Sequence, residues 1–213
     1  MLKGVGSRQQ ELLTFLLHNK QGMSFDALAQ ELGISRAAVQ QHIASLERNK
    51  FVEAGSHHKT AGRPVRLYVI TEAGINLFPK QYSWFSELVL EDIRETQGDE
   101  GLASFMSRLG TRTADSLKPQ VEALSDEGKA EFLIKTMREM GYQASIQHNA
   151  AGQSDSISAC NCVYHNLAMK YEQVCEFDRS LISTVLGKDI EQISCMAKGG
   201  RTCEFKLLDK KVD

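Results

Sequence analysis

Cysteine is missing from the first 159 of the chain's 213 residues, and all five cysteines fall between positions 160 and 203. Thiol chemistry therefore belongs to the second half alone. Proline is scarce, with three in the whole chain, so few positions forbid a helix. No run approaches the roughly 18 apolar residues of a membrane span, and Met1 to Gln10 lacks the apolar core of a secretory leader. Together these absences predict a cytoplasmic chain with no membrane partner. In a reducing pool, clustered thiols serve more often as metal ligands or redox groups than as structural disulfides, and five cannot all pair. No Ser/His/Asp set, phosphate loop or carboxylate pair stands out, so an enzyme is not expected.

What is present divides by charge. Residues 1–80 carry ten Lys/Arg against six Asp/Glu, and residues 81–213 carry fifteen against twenty-one. The small net charge of -2 thus hides a basic N-terminal part suited to modest phosphate attraction.

That basic part has the pattern of a helix-turn-helix. Ser7 to Asn19 reads as a first helix with Leu12, Leu13 and Leu16 inward. Ser24 caps a second helix over Phe25 to Leu32, stopped by Gly33. Ser35 caps a third helix to about Asn49, with Val39, Ile43 and Leu46 at i, i+4 and i+7 on one face. Phe51 to Glu53 and Arg66 to Thr71 read as two strands around a basic turn, His57 to Pro64, which makes a wing. The expected DNA-facing residues are Ser35, Arg36, Gln40, Gln41 and His42 on the third helix, where Arg matches guanine and Gln adenine. Lys59, Arg63 and Arg66 would hold the backbone or reach the minor groove. Double-stranded operator DNA is the expected partner. One winged helix covers little area, so a homodimer on paired half-sites is expected too, with the apolar segment Trp84 to Ile93 as candidate seam.

The remainder predicts helices over 83–96, Leu102 to Leu117 and Ser125 to Met140, then a change of period. Strands are expected near 142–148 and 156–159, a helix over Val174 to Leu186, and two strands, Ile190 to Met196 and Thr202 to Leu208, around Gly199-Gly200. The fold class is α+β: a winged helix-turn-helix over 1–80, a helical linker and dimerisation region over 81–140, and a sensor domain with an antiparallel sheet over 141–213.

Cys162, Cys175 and Cys203 fall at element ends, where the backbone can converge on one metal. Cys160, two residues before Cys162, would share its face on an extended strand. A fourth ligand could be Cys160, His165 or Cys195, and Cys195 also reads as a buried, apolar-like cysteine. The spacing is not that of a zinc finger.

With these residues in view, the chain resembles the SufR-type iron–sulfur regulators, related to ArsR- and DeoR-like repressors. The likeness rests on Gly62-Arg63-Pro64-Val65-Arg66-Leu67-Tyr68 with Thr71-Glu72-Ala73-Gly74, on Asn161 to Ala168, on Cys175 with Leu186-Gly187, and on Gly199 to Phe205. It implies an iron–sulfur cluster, 4Fe–4S or 2Fe–2S, on Cys162, Cys175 and Cys203. It also implies a homodimeric repressor of iron–sulfur assembly genes. Two other readings compete: a thiol switch pairing Cys160 or Cys162 with Cys175 or Cys203, and a metal-binding interaction protein whose winged helix is inactive.

Overall fold

The computed structural model describes residues 4–58, 65–148 and 154–208. The chain divides into two compact units, Met1–Gln81 and Tyr82–Asp213, each with its own hydrophobic core.

The first unit holds α1 (Ser7–His18), α2 (Phe25–Leu32), α3 (Arg36–Arg48), the strands β1 (Val52–His58) and β2 (Val65–Ile70), and α4 (Glu72–Asn76). Local chemistry sets the helix ends. The Ser24 and Ser35 hydroxyls accept from the amides of Ala27 and Ala38, satisfying donors that have no partner inside the helix. Gly33 closes α2 with φ at 60°, a left-handed value costly for a residue with a Cβ. Leu12, Leu13 and Leu16 of α1, Leu28 of α2, and Val39, Ile43 and Leu46 of α3 are sealed together in one core. β1 and β2 pair antiparallel, Val52 opposite Ile70, with an irregularity between Ala54 and His57. The first strand is longer than the expected Phe51 to Glu53. The mutual hydrogen bonds of Met23 and Tyr68 add a short bridge to the hairpin. This is a winged helix.

The second unit opens with α5 (Tyr82–Val121), broken at Gly98, where φ is 73° and ψ is 179°. It continues with α6 (Asp126–Glu139), β3 (Ala144–His148), β4 (Ser154–Ala159), α7 (His165–Lys170), α8 (Cys175–Leu186), β5 (Asp189–Ser194) and β6 (Cys203–Leu208). The four strands form an antiparallel sheet in the order β3-β4-β6-β5. α5 lies tightly along α8: Ser107 Oγ and Ser180 Oγ are 2.8 Å apart. A Cβ on Gly110 would sit 2.4 Å from the Phe177 carbonyl oxygen. Leu102, Met106 and Ala114 of α5 share one core with Leu181, Ile182 and Val185 of α8 and with Ile157 and Phe205 of the sheet. The α+β class expected from the sequence is the class observed.

Candidate nucleic-acid interface and thiol site

On α3 the helical period sorts side chains into two populations. Val39, Ile43 and Leu46 are buried, while Ser35, Arg36, Gln40 and Gln41 are exposed and His42 is half-buried. The exposed set offers amide and guanidinium groups from the N-terminal turns. Arg36 is not a loose side chain. Its Nη1 lies 2.5 Å from Asp26 Oδ2, and its guanidinium sits 5.5 Å from the centre of the Phe25 ring. That ring stacks in turn on Tyr68 at 4.5 Å. Asp26, which the sequence reading passed over, therefore orients the one arginine of the helix's first turn and raises its pKa. Its signal was local: an acid in the first turn of α2 facing a base in the first turn of α3. Arg66 is exposed on β2. Lys59 and Arg63 lie outside the described residues.

The thiols sit at element ends. Cys175 opens α8, Cys195 follows β5, and Cys203 opens β6; all three are buried, with Cys162 half-buried and Cys160 exposed. Cys160 and Cys162 fall in a bend beyond β4 rather than on an extended strand, so strand alternation does not present them together. Cys160 Sγ is directed to the Gln143 carbonyl at 3.6 Å. Cys175 and Cys195 are the close pair, with sulfurs 3.8 Å apart. The Cys203 sulfur accepts the Met196 amide at 3.5 Å. Burial pushes Cys162 up and raises Cys203 to about 11. Burial, then the charge of Cys195, drives Cys175 well above the ordinary thiol range. Nearby Asp178 adds to all three effects.

Metal ligation needs thiolates converging on one point. Among the described residues no group of three or more His, Cys, Asp or Glu side chains is arranged to hold a metal ion. Cys162, Cys175 and Cys203 thus do not make the expected ligand set, and Cys160, Cys195 and His165 do not complete it. His165 is exposed at the start of α7 and lines, with Cys162, a separate cleft of about 300 Å³. The contacts are pairwise, and desolvation holds Cys162, Cys175 and Cys203 as thiols. The iron–sulfur expectation is corrected on this finding, and with it the SufR-type resemblance, whose specific part was the cysteine pattern.

Residues 8–54 match a family model described as an HTH domain. That span covers the helix-turn-helix and the start of β1. No curated protein matches the chain. Similar solved structures include a mutant of S. aureus MepR bound to an oligodeoxyribonucleotide, at 17% identity and TM-score 0.31, covering 64% of this chain and 78% of that one. A MarR/EmrR-family transcriptional regulator from Acinetobacter matches at 21% identity and TM-score 0.31, covering 65% and 77%. Lactococcus lactis ZitR in complex with DNA matches at 19% identity and TM-score 0.29, covering 66% and 83%. No helix among the described residues is long and apolar enough to cross a membrane.

Proposed function

We propose that the chain is a DNA-binding transcriptional regulator, a repressor, that reads a double-stranded operator as a homodimer and answers to the oxidation state of its C-terminal thiols. The observation that carries DNA binding is the winged helix itself: a buried apolar face anchors α3 and leaves Ser35, Arg36, Gln40 and Gln41 exposed on its first turns. Such a helix enters the major groove with its N-terminal residues at base edges. Gln40 and Gln41 act as adenine readers and Arg36, held by Asp26, as a guanine reader; His42, Arg66, Lys59 and Arg63 supply backbone contacts.

Dimerisation is supported by the exposed apolar stripe at the start of α5. Trp84 is 60% exposed and Phe85 62%, and Leu88 and Val89 continue the stripe at i+3 and i+4 from Phe85. A contiguous apolar surface of this kind marks an association site, and two half-sites then supply the area one winged helix lacks.

Control by thiols is supported by the Cys175–Cys195 contact. The partners differ from those the sequence suggested, since Cys160 and Cys162 are not in the close pair. The test is selection of a preferred sequence from random duplexes, followed by titration at several salt concentrations with reduced and with peroxide-treated protein. Sequence-selective, salt-dependent binding that changes on oxidation is expected. Binding without sequence preference rejects the regulator reading, and identical affinity in both states rejects thiol control.

A further inference from the structure

Both arms of α5, before and after the kink at Gly98, line an apolar groove of about 380 Å³ in the second unit. Phe85 and Val89 come from the first arm, Phe105 and Leu109 from the second, and Tyr164 and Phe177 from the chain beyond. Among the described residues no charged side chain lines it, so a charged occupant would give up its water without a partner. Ser86, at its edge, spends its hydroxyl on the Tyr82 carbonyl at 2.8 Å. Four aromatic walls suit a neutral, mainly apolar ring. Trp84 stands one residue away on the helix, exposed and outside the lining. At 3.6 residues per turn, Trp84 and Leu88 make one ridge, and Phe85 and Val89 make the adjoining wall. Trp84 thus projects beside its own groove rather than into it.

We infer that Trp84 is the anchor of a reciprocal lock between two copies of the chain, each placing its indole in the other's groove. The inference rests on the dimer reading above and names what the seam buries. A ridge of side chains beside a groove is the surface that two helices interleave. A two-fold axis sets the ridge of each copy against the groove of the other. Each copy then gives one ring and accepts one, so association closes at two. A small neutral aromatic molecule would suit the same walls but would leave Trp84 and Leu88 in water. The partner's ridge covers the groove and the ridge in one step, which is why a second copy is the occupant chosen. A large aromatic side chain seated in a desolvated pocket is the usual energetic centre of an interface.

Trp84 is the chain's single tryptophan, so its fluorescence reports this one position. On dilution of the full chain, emission should move from blue to red, and acrylamide quenching should rise, over the concentrations at which sedimentation shows the mass halving. Trp84→Ala should weaken pairing roughly 1,000-fold, as expected when two anchors, one from each copy, are lost together. Val89→Phe keeps the stripe apolar but fills the groove from its exposed wall, and it should also give a monomer, with circular dichroism unchanged in both variants. Mixing the two should restore pairing in part, because one copy keeps the ring and the other keeps the open groove. The Val89→Phe copy's emission should then shift back to blue. A dimer whose Trp84 stays red and quenchable, or a fully dimeric Val89→Phe protein, would overturn the lock and leave the dimer standing. A wild-type monomer at every concentration would end both, whether its Trp84 emission is red or blue.

Discussion

Asp178 shows what a single buried residue does to the second unit. Its carboxyl is buried on α8 and accepts the Tyr142 hydroxyl at 2.5 Å. Burial raises its pKa to about 6, against a partial downward pull from that hydrogen bond. A carboxyl whose folded pKa lies above its unfolded value binds its proton more tightly in the folded state. Its contribution is fully present below the unfolded pKa near 4 and is lost as pH rises through about 6. The gap of about two pH units corresponds to about 3 kcal/mol. Asp178→Asn keeps an acceptor for Tyr142 and removes the charge. Urea unfolding should therefore show the variant gaining about 3 kcal/mol relative to wild type between about pH 3.5 and about pH 7.5. A flat difference across that range would mean the carboxylate finds solvent. At the same scale, Gln40→Ala should cost about 1–3 kcal/mol at one operator position and leave other positions unchanged, as read by competition with single-base variants. Arg66→Ala should weaken all sequences alike and flatten the salt dependence. Asp26→Ala should behave like a partial loss of Arg36, because it frees that guanidinium without removing it.

Elements were legible where a local rule governs them. Ser24, Ser35 and Ser125 each cap the helix expected there, and the i, i+4, i+7 spacing of Val39, Ile43 and Leu46 gave the buried face of α3. The α+β class followed from the change of period after Gly141. Sheet order did not follow, because pairing β4 with β6 across α7, α8 and β5 is a long-range choice that no local pattern encodes. The thiol site failed for the same reason: which sulfurs meet depends on where β5 and α8 end in space. Spacing suggested Cys162, Cys175 and Cys203, whereas packing brought Cys175 to Cys195. The close approach of α5 to α8 was equally invisible, though it rests on Gly110. Gly110→Ala would drive a methyl against the Phe177 carbonyl and within 2.9 Å of Ser180 Cβ. Backbone cannot yield as a flexible side chain does, so about 1–3 kcal/mol of stability should be lost, seen as a lower thermal midpoint. Ser35→Ala should cost about 1 kcal/mol through its cap alone, a loss confined to the first unit.

At the scale of the whole molecule the proposed regulator role requires that one small winged-helix unit acquire operator affinity. α5 carries two apolar faces: Leu90 is buried in the second unit's core, while Phe85, Leu88 and Val89 point outward. The outward face is flanked by a groove of about 380 Å³ that Phe85 and Val89 line with Phe105, Leu109 and Leu167. Leaving such a stripe in water is unfavourable, and each large side chain removed from it contributes about 1.5–3 kcal/mol. A second copy offers the same stripe in return, as an isologous interface requires. Leu88→Asp places a charge at its centre without touching the buried face. Light scattering should then report a monomer where wild type is a dimer, with circular dichroism unchanged. Operators with two half-sites should bind about 100-fold more weakly, the avidity lost when the second reader is no longer tethered, while affinity for an isolated half-site should hold. A dimeric Leu88→Asp protein would move the seam elsewhere. A monomeric variant with full operator affinity would remove the need for a dimer altogether.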